Sequence, residues 1–517
     1  MQTFDLRSAA VALVLAALAL LVWWGGVSPA HHWGDDWAGY LLQAQAIANG
    51  GVDAELASNT VAMQGGDVQV GPYAYPWGYP LLLSAAGIAS DWNPVGLKVV
   101  GGLSLAVLVL ASFALARSRL GLGLSAFVAI AVGLQPEVVL DASVIGSDVP
   151  FTAISTVGLL LVYRQYLRIW AGRGPGAGLA LGVIAASVVA FSIRSNGAVL
   201  PCTYVALLLL ATWREPATWR KMAWHALGFV AAIGVLCAAY FAAFPDGSMV
   251  HAGYLSFDPR VWVERSVRHL HYVAEWITFK KVLGVGKLLP LGALLALVLW
   301  GLLRRPWDGA VLAIYCLGHL ALLTLFPFDG GLRYYHPLLP AAFMLAALGA
   351  ESAWDEIGPR LAPAAARRAA LAFAWAVPMV MLLVMSQVAR DRQLANAADG
   401  PADPSSPATA ETLAWVASHA PREARVAFFK PRAFRLLSGR LASAVNQSSS
   451  LGAVDWYVFN GGTDDTRTQI VESALREPSA GFRVVFERPP YRVYAKRPGG
   501  EVAAAQANLS SEVSSEP

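Results

Sequence analysis

The sequence is poor in charged residues. Asp, Glu, Lys and Arg make up only 14% of its 517 residues, whereas 56% are hydrophobic. Because soluble domains carry about 25% charged residues, this composition excludes an ordinary soluble protein and indicates a polytopic membrane protein. The formal net charge is only +4, and the basic residues stand in short clusters between apolar runs, so nothing points to a nucleic-acid partner.

Cysteine is also scarce. The three cysteines, Cys202, Cys237 and Cys316, each lie inside an apolar run, and none has the spacing of a CxxC motif or a zinc site. The pattern excludes a disulfide framework and predicts three small buried side chains. The sequence also lacks an internal repeat, which argues against a transporter built from paired inverted halves.

Long apolar runs dominate the first 390 residues. A helix needs about 20 apolar residues to cross a ~30 Å hydrocarbon core. The run "YPWGYPLLLSAAGIAS" has only about 15 and begins with two prolines, so we expect Pro80 to Ala89 to lie in the outer leaflet without spanning it. The remaining runs predict eleven spans, at 9–27, 95–116, 121–139, 149–168, 177–193, 197–213, 224–244, 286–303, 308–326, 337–352 and 369–389.

The distribution of Lys and Arg predicts the orientation of these spans. The short basic clusters fall in alternate loops, which places those loops in the cytoplasm. Loop 28–94 contains no Lys or Arg but six acidic residues, so we expect it outside. The amino terminus is then cytoplasmic, and an odd number of spans puts the carboxyl terminus outside. We expect a bacterial inner membrane protein with loop 28–94, the other outer loops and the C-terminal domain in the periplasm.

The last 120 or so residues change in character. Residues 391–411 contain the polar segment "GPADPSSPATAE", which is typical of a linker. Alternating short apolar segments then predict strands at 425–430, 455–460, 482–487 and 491–496, with a helix at 464–477. The predicted domains are a transmembrane domain at 1–390 that includes the first outer loop with its interfacial helices, a small α/β domain at 412–497, and a disordered tail at 498–517.

The stretch "HHWGDDWAGYLLQAQAIANGG" follows the first span. Its apolar residues have helical spacing, so we expect an amphipathic helix from Asp36 to Asn49 that ends at Gly50-Gly51. Asp35 or Asp36 would cap its amino end. One aspartate is enough for a cap, and acids beside a membrane are costly unless solvated or paired. A capped helix also holds a carboxylate rigidly, as a catalytic base requires, so the two interpretations are compatible.

At this point the sequence resembles a known family. The pattern Asp36-x-x-x-Tyr40, followed by "YPWGYPLLL" and "SDVPF", resembles the GT-C superfamily of polytopic glycosyltransferases, over about residues 1–390. The protein O-mannosyltransferase branch and the lipid A aminoarabinose transferase are the most similar members. Their donors are sugars on polyprenyl or dolichyl phosphate. The resemblance implies a GT-C-like, all-α membrane fold and an acidic pair in the first outer loop, here Asp35 and Asp36, that binds or deprotonates the acceptor.

Further polar residues on the same expected face match the family. Asp148, in "GSDVPF", resembles the acid of the second outer loop, which in some members binds a divalent metal. Its local alternative is a helix cap before Pro150. The stretch "FDGGLRYYHPLLP" resembles an arginine-bearing segment near the carrier phosphate. The resulting candidate sites are Asp36 and Asp35 as catalytic residues, Arg333, Arg194, His336 and Tyr334 for the donor phosphate, Tyr40, Asp148 and Tyr79 for substrate, and Asp148 for a metal.

The chemistry explains this choice of residues. A polyprenyl-phosphate sugar already carries a good leaving group, so the acceptor hydroxyl must be deprotonated and the released phosphate stabilised. We assign Asp36 the role of base, a role worth roughly 10²–10⁴-fold, with Asp35 as its neighbour or substitute. Arg333, and Arg194 after it, would hold the phosphate, because a guanidinium matches its geometry. The reaction would be an in-line attack with inversion at the anomeric carbon.

The resemblance leaves several points open. It implies no cofactor beyond a possible Mg²⁺ or Mn²⁺ ion. The lipid-linked sugar would be the co-substrate, and membrane lipids would surround the protein. The acceptor could be a glycan, a lipid or a protein. A glutamate–lysine pair of the aminoarabinose transferase is absent, since Ala74 and Tyr75 occupy its positions. The sequence of loop 245–285 predicts an amphipathic helix on the membrane surface. A lid over the acceptor is the alternative. A transporter, or a lipid-linked glycan polymerase or ligase, remains the alternative function.

Overall fold

The structure is a computed structural model that describes residues 5–67, 71–244, 255, 257–277, 288–326, 331–361, six positions between 383 and 391, 403–462 and 466–497. The chain divides into two compact units. The first unit comprises Met1–Val27, Pro76–Leu82 and Ala89–Ala395, and the second comprises Ser28–Tyr75, Leu83–Ile88 and Asn396–Pro517. The first outer loop therefore groups with the C-terminal residues, whereas the sequence placed it with the transmembrane part.

The first unit is a bundle of α-helices. Each expected span, except the one at 369–389, coincides with a helix or a helix pair; that last span lies almost wholly outside the described residues. Local signals account for the helix ends: Asn93 Oδ1 accepts the backbone N–H of Val95 at 3.0 Å, and Pro94 follows at the first helical position. The helices are Leu6–Trp24, Pro94–Arg117, Leu122–Gly133, Pro136–Ala142, Asp148–Trp170, Ala177–Ile193, Val199–Arg214, Trp219–Ala243, Pro259–Ile277, Leu288–Arg304, Pro306–Leu325 and Leu339–Leu361.

The expected span 121–139 is not one continuous helix. It is broken into Leu122–Gly133 and Pro136–Ala142, whose axes differ by 56°. Pro136 has no N–H to donate and disfavours helical geometry in the residue before it. Gln135 is accordingly non-helical, and its side chain accepts the N–H of Val138 at 2.9 Å to start the second piece.

The described helices support a multi-pass membrane protein. Six of them are long and apolar enough to cross a membrane, or seven if the bent pair counts as one span. Three shorter apolar helices occur as well, including Gly78–Ser90, which coincides with the run expected not to span. The number of eleven spans is not confirmed.

Close helix packing in this unit depends on glycine. Gly301 and Gly349 face each other where Leu288–Arg304 crosses Leu339–Leu361, and a Cβ on Gly301 would lie 2.9 Å from the backbone nitrogen of Gly349. A Cβ on Gly349 would overlap the carbonyl oxygen of Leu297. Small residues let helix backbones approach closely where lipid offers no hydrophobic driving force between helices.

The second unit contains a five-stranded mixed sheet. Its strands are β1 (Val426–Phe428), β2 (Ala442–Ser443), β3 (Trp456–Asn460), β4 (Phe482–Arg488) and β5 (Tyr491–Lys496). They lie in the order β2-β1-β3-β5-β4, with β1 parallel to β2 and β3, and β5 antiparallel to β3 and β4. The four predicted strands match β1, β3, β4 and β5. The two-residue β2 carries no periodic signal and was missed.

Helices flank this sheet. They are Asp36–Asn49 and Val52–Gln64 from the first loop, and Pro407–His419, Pro431–Ser438 and Thr466–Arg476 from the C-terminal residues. We call residues 403–497 the C-terminal domain. Its first helix begins inside the expected linker, where the Ser406 hydroxyl accepts the N–H of Thr409 at 3.2 Å. Two apolar cores pack against the sheet, one of which includes Phe428 and Phe434 and the other Tyr457 and Val471.

Gly349→Ala tests the helix crossing. The added methyl group meets backbone atoms, which cannot move away as a side chain could, so we expect a loss of about 1–3 kcal/mol in the free energy of unfolding. The thermal unfolding midpoint of the purified protein in detergent measures this loss. Gly234→Ala is the matched control, because nothing lies within 4 Å of a Cβ there; it should be neutral or slightly stabilising. Equal midpoints for the two variants would contradict the described crossing.

Candidate active site

The two adjacent aspartates have different environments. Asp35 is 3% exposed, and its Oδ1 accepts the backbone N–H groups of Arg432 at 2.9 Å and Ala433 at 3.3 Å. Those groups belong to the first turn of Pro431–Ser438. Asp35 therefore caps a helix of the C-terminal domain; its side chain makes no capping bond to the helix Asp36–Asn49 that follows it. The sequence predicted a capping aspartate but assigned it to the wrong helix.

Asp36 opens the predicted helix and is only partly buried. Its Oδ1 accepts the phenolic hydroxyl of Tyr75 at 2.6 Å. Gln43, two turns along the same helix, holds Tyr75 through its backbone: the Gln43 amide accepts the Tyr75 N–H at 2.9 Å and donates to its carbonyl at 3.0 Å. The helix ends at Gly50, whose φ of +69° is left-handed, as expected. The loop thus presents one aspartate on a rigid support.

Arg432 makes several hydrogen bonds to the first loop. It is 3% exposed; Nη1 donates to the Tyr75 hydroxyl at 2.9 Å and Nε to Asn59 Oδ1 at 3.1 Å. Nη2 donates to the Pro72 carbonyl, and Nη1 lies 3.6 Å from Asp35 Oδ2. A buried charge is tolerated only when it is paired and hydrogen-bonded, and this guanidinium satisfies both conditions.

Two glycines make room for this arrangement. A Cβ on Gly39 would lie 2.7 Å from the Tyr75 ring and 3.1 Å from Arg432 Cδ. A Cβ on Gly71, whose φ is +76°, would lie 2.8 Å from Arg432 Nη1 and 2.9 Å from the Tyr75 hydroxyl. Tyr40, predicted to bind substrate, is 6% exposed and packs its ring 4.4 Å from that of Tyr75. We call Asp35, Asp36, Tyr75 and Arg432 the acid site.

Burial controls the proton affinities here. Burial raises the pKa of Asp35, although the Arg432 charge acts against the increase. Burial also raises the pKa of Tyr75 well above its usual value of 10. Tyr75 therefore remains protonated at neutral pH and can donate its hydroxyl proton to Asp36. Burial acts to lower the pKa of Arg432, but Tyr75, Asp35 and Asp36 together raise it, so the guanidinium remains charged.

Other contacts fasten the first loop to the C-terminal domain within the same unit. Glu55 forms an ion pair with Arg435. Asp67 accepts the backbone N–H groups of Asn446 at 2.9 Å and Gln447 at 2.8 Å. Trp33 packs against the aromatic side chains of β1 and the residue after it, with ring centroids 5.5 and 5.2 Å apart. Sequence patterns do not predict these pairs, because the partners of Glu55 and Asp67 lie about 380 residues away along the chain.

A second group of predicted residues meets in the first unit. Arg194 Nη1 forms an ion pair with Asp148 and donates to the Ser147 hydroxyl at 3.2 Å. The guanidinium carbons of Arg194 and Arg333 lie 5.0 and 5.5 Å from the ring centroid of Tyr334, within the range of a cation–π interaction. The structure thus brings together four candidates drawn from three separate loops. We call Arg194, Arg333, Tyr334 and Asp148 the arginine–tyrosine cluster.

The remaining candidates are buried. His336, predicted to bind the donor phosphate, is fully buried, and its Nε2 lies 2.7 Å from Asp141 Oδ2. Tyr79, predicted to bind substrate, is 1% exposed. The helix Pro259–Ile277 lies in the loop where an amphipathic helix was expected. Its His269 bonds to the hydroxyl of Tyr335, the neighbour of Tyr334 in sequence, so this helix supports the segment that carries Arg333.

The described residues do not fit a metal ion. The carboxylate of Asp148, the predicted ligand, faces the Arg194 guanidinium, and a cation at that position would be repelled. No group of three or more His, Cys, Asp and Glu side chains suited to a metal occurs within the part of the chain that the structure describes.

The chain is similar to several solved membrane proteins. ArnT from Cupriavidus metallidurans in the apo state matches with a TM-score of 0.61 and 15% sequence identity, covering 95% of this chain and 98% of that chain. The same protein bound to undecaprenyl phosphate gives a TM-score of 0.58 at 14% identity, with 94% and 98% covered. The Archaeoglobus fulgidus oligosaccharyltransferase in complex with Zn and sulfate gives 0.53 at 13% identity, covering 87% and 68%.

These similarities establish the fold. The chain has the fold of ArnT and of the oligosaccharyltransferase, an all-α membrane part with a small C-terminal α/β domain, so the fold expected from the resemblance is confirmed. No protein-family model matches the chain, and no curated protein is similar enough in sequence to match it.

Asp35→Asn tests whether Asp35 is structural. The variant removes the negative charge beside buried Arg432, and breaking a buried pair on one side costs about 3–5 kcal/mol. We expect a clearly lower thermal unfolding midpoint in detergent. Asp53→Asn changes an exposed aspartate of the same loop and should alter the free energy of unfolding by about 0.5 kcal/mol or less. A midpoint for Asp35→Asn that matches this control would show that the charge of Asp35 beside Arg432 contributes nothing to stability.

Proposed function

We propose that the protein is an inverting glycosyltransferase. It moves a sugar from a polyprenyl-phosphate carrier to a hydroxyl group on a glycan, lipid or protein acceptor, at the periplasmic face of a bacterial inner membrane. The observation that carries the proposal is the fold shared with ArnT over 95% of this chain and 98% of that chain. ArnT also has a structure bound to undecaprenyl phosphate, which supports a lipid-linked donor here.

Asp36 is the proposed general base. Of the two adjacent aspartates, Asp36 is the more exposed. Asp35 instead accepts backbone N–H groups of the helix Pro431–Ser438. Asp36 would take the proton of the acceptor hydroxyl as that oxygen forms its bond to the anomeric carbon. The bond from the anomeric carbon to the phosphate oxygen breaks in the same step, and the electron pair leaves with the phosphate.

Arg333 is the proposed ligand of the donor phosphate, with Arg194 second. Arg194 pairs with Asp148, so it ranks second, and Arg333 stands beside it over the ring of Tyr334. A guanidinium can donate two parallel hydrogen bonds to phosphate oxygens, and its attraction to the anion increases as the carrier phosphate is released. The sugar and the acceptor remain to be identified by assay.

Asp36→Asn is the test of the proposal. Purified protein in nanodiscs is mixed with a panel of radiolabelled polyprenyl-phosphate sugars and candidate acceptors. We expect transfer from one donor, with a rate about 10²–10⁴-fold lower in Asp36→Asn because the base is lost. Asp53→Asn is the matched control and should retain the wild-type rate. Absence of transfer from every donor, with Asp36→Asn indistinguishable from wild type in every assay, would overturn the function and favour a transporter.

Arg333→Ala tests the phosphate role with the same donor. Loss of a charge-assisted hydrogen bond, at about 1.5–3 kcal/mol, should reduce kcat/KM for the donor by about 10–100-fold. The KM for the acceptor should change far less than the KM for the donor. Arg260→Ala alters an exposed arginine and serves as the control. An Arg333→Ala protein with an unchanged kcat/KM for the donor and a wild-type thermal unfolding midpoint would contradict the phosphate role.

A further inference from the structure

The position of the Arg432 side chain is not explained by capping alone. Asp35 caps the helix Pro431–Ser438 through backbone N–H groups, and any residue except proline at position 432 would supply such a group. The guanidinium instead extends to the first loop, where it bonds to Tyr75, Asn59 and the Pro72 carbonyl. Its guanidinium carbon also lies 5.1 Å from the Tyr75 ring centroid. A long cationic side chain has been buried here against loop residues.

The hydrogen bonds from Arg432 to Asp36 have a fixed direction. An arginine has donors and no acceptor, so in the Arg432–Tyr75 bond the phenolic oxygen must accept. The single phenolic proton is then available for Asp36 Oδ1, 2.6 Å away. Gln43 prevents the Tyr75 backbone from shifting, and Gly39 leaves no spare space beside the ring. Arg432 thereby fixes both the position of the phenol and the direction of its proton.

We propose that Arg432 is a positioning residue for Asp36, so that the C-terminal domain supplies an essential part of the acid site. Arg432 acts through Tyr75 and does not touch the reacting atoms. The inference rests on the proposed function, since it concerns the rate of the same transfer. It makes the C-terminal domain a participant in catalysis, with Tyr75 as the link between the domain and the base.

The electrostatic environment of Asp36 predicts the pH dependence. Within the described part of this unit, Asp36 interacts with Asp35, Tyr75 and Arg432. Tyr75 and Arg432 favour the ionised carboxylate, and Asp35 opposes it. Removing either favourable partner makes Asp36 take up a proton at higher pH. The acid limb of the kcat–pH profile should therefore move to higher pH, because the base must be deprotonated to act.

The experiment compares full-length wild type, Arg432→Gln, Arg432→Lys, Tyr75→Phe and the control Arg483→Gln, which changes an exposed arginine on β4. We expect Arg432→Gln and Tyr75→Phe to lower kcat by up to about 100-fold, the size expected from misplacement of a catalytic group. Donor KM should stay within about twofold, since the phosphate is held elsewhere. Arg432→Lys, which retains the charge, should recover part of the rate, and Arg483→Gln should match wild type.

The outcomes separate the two proposals. Wild-type kcat and an unshifted acid limb in folded Arg432→Gln or Tyr75→Phe, beside an inactive Asp36→Asn, would overturn the positioning role and leave the glycosyltransferase standing. If Arg432→Gln fails to fold, Tyr75→Phe decides, because it removes one oxygen and retains the packed ring. Absence of transfer by wild type from every donor would overturn the proposed function, and with it the role of Asp36 on which this inference rests.

Discussion

The buried guanidinium of Arg432 is the interaction on which the acid site depends. Removing such a charge from water costs several kcal/mol, and the cost is offset only if Asp35, Tyr75, Asn59 and the Pro72 carbonyl all remain in place. These partners lie in the first loop. Along the chain, Tyr75 is 357 residues and Asp35 is 397 residues from Arg432. Loop and C-terminal domain must therefore order together, which explains why they form one compact unit.

This constraint separates two aspartates that look equivalent in sequence. Asp35 becomes a helix cap and counter-ion at 3% exposure, and its burial raises its pKa. Asp36, one residue later, lies at the start of a helix and accepts the hydroxyl of Tyr75. An adjacent pair can thus carry a structural and a chemical function together, because successive residues at a helix start point in different directions. The neighbouring acid is then not a spare base; it fixes the support on which the base is carried.

Local patterns predicted much of the fold. Apolar runs located the helices, Gly50 ended the loop helix, and alternation located four strands. The break at Pro136 could have been foreseen from the effect of proline on the preceding residue, and Gln135 and Glu137 also interrupt the apolar run there. Arg432 and Tyr75 could not have been predicted: Arg432 stands in a short amphipathic helix, and its partners are set by tertiary packing. His336 shows the same limit, since nothing nearby in sequence indicated that Asp141 would bind it.

The charges of the two clusters support the division of chemical roles. With its carboxylates ionised, the acid site has two negative charges and one positive charge, a formal total of −1. The arginine–tyrosine cluster holds two arginines and one aspartate, Asp148, which pairs with Arg194. Deprotonating a hydroxyl requires a carboxylate that is not fully neutralised by its neighbours, whereas binding a phosphate requires an excess of positive charge. Arg432 meets the first requirement because it is shared between Asp35 and Tyr75, so it orients Asp36 without cancelling its charge.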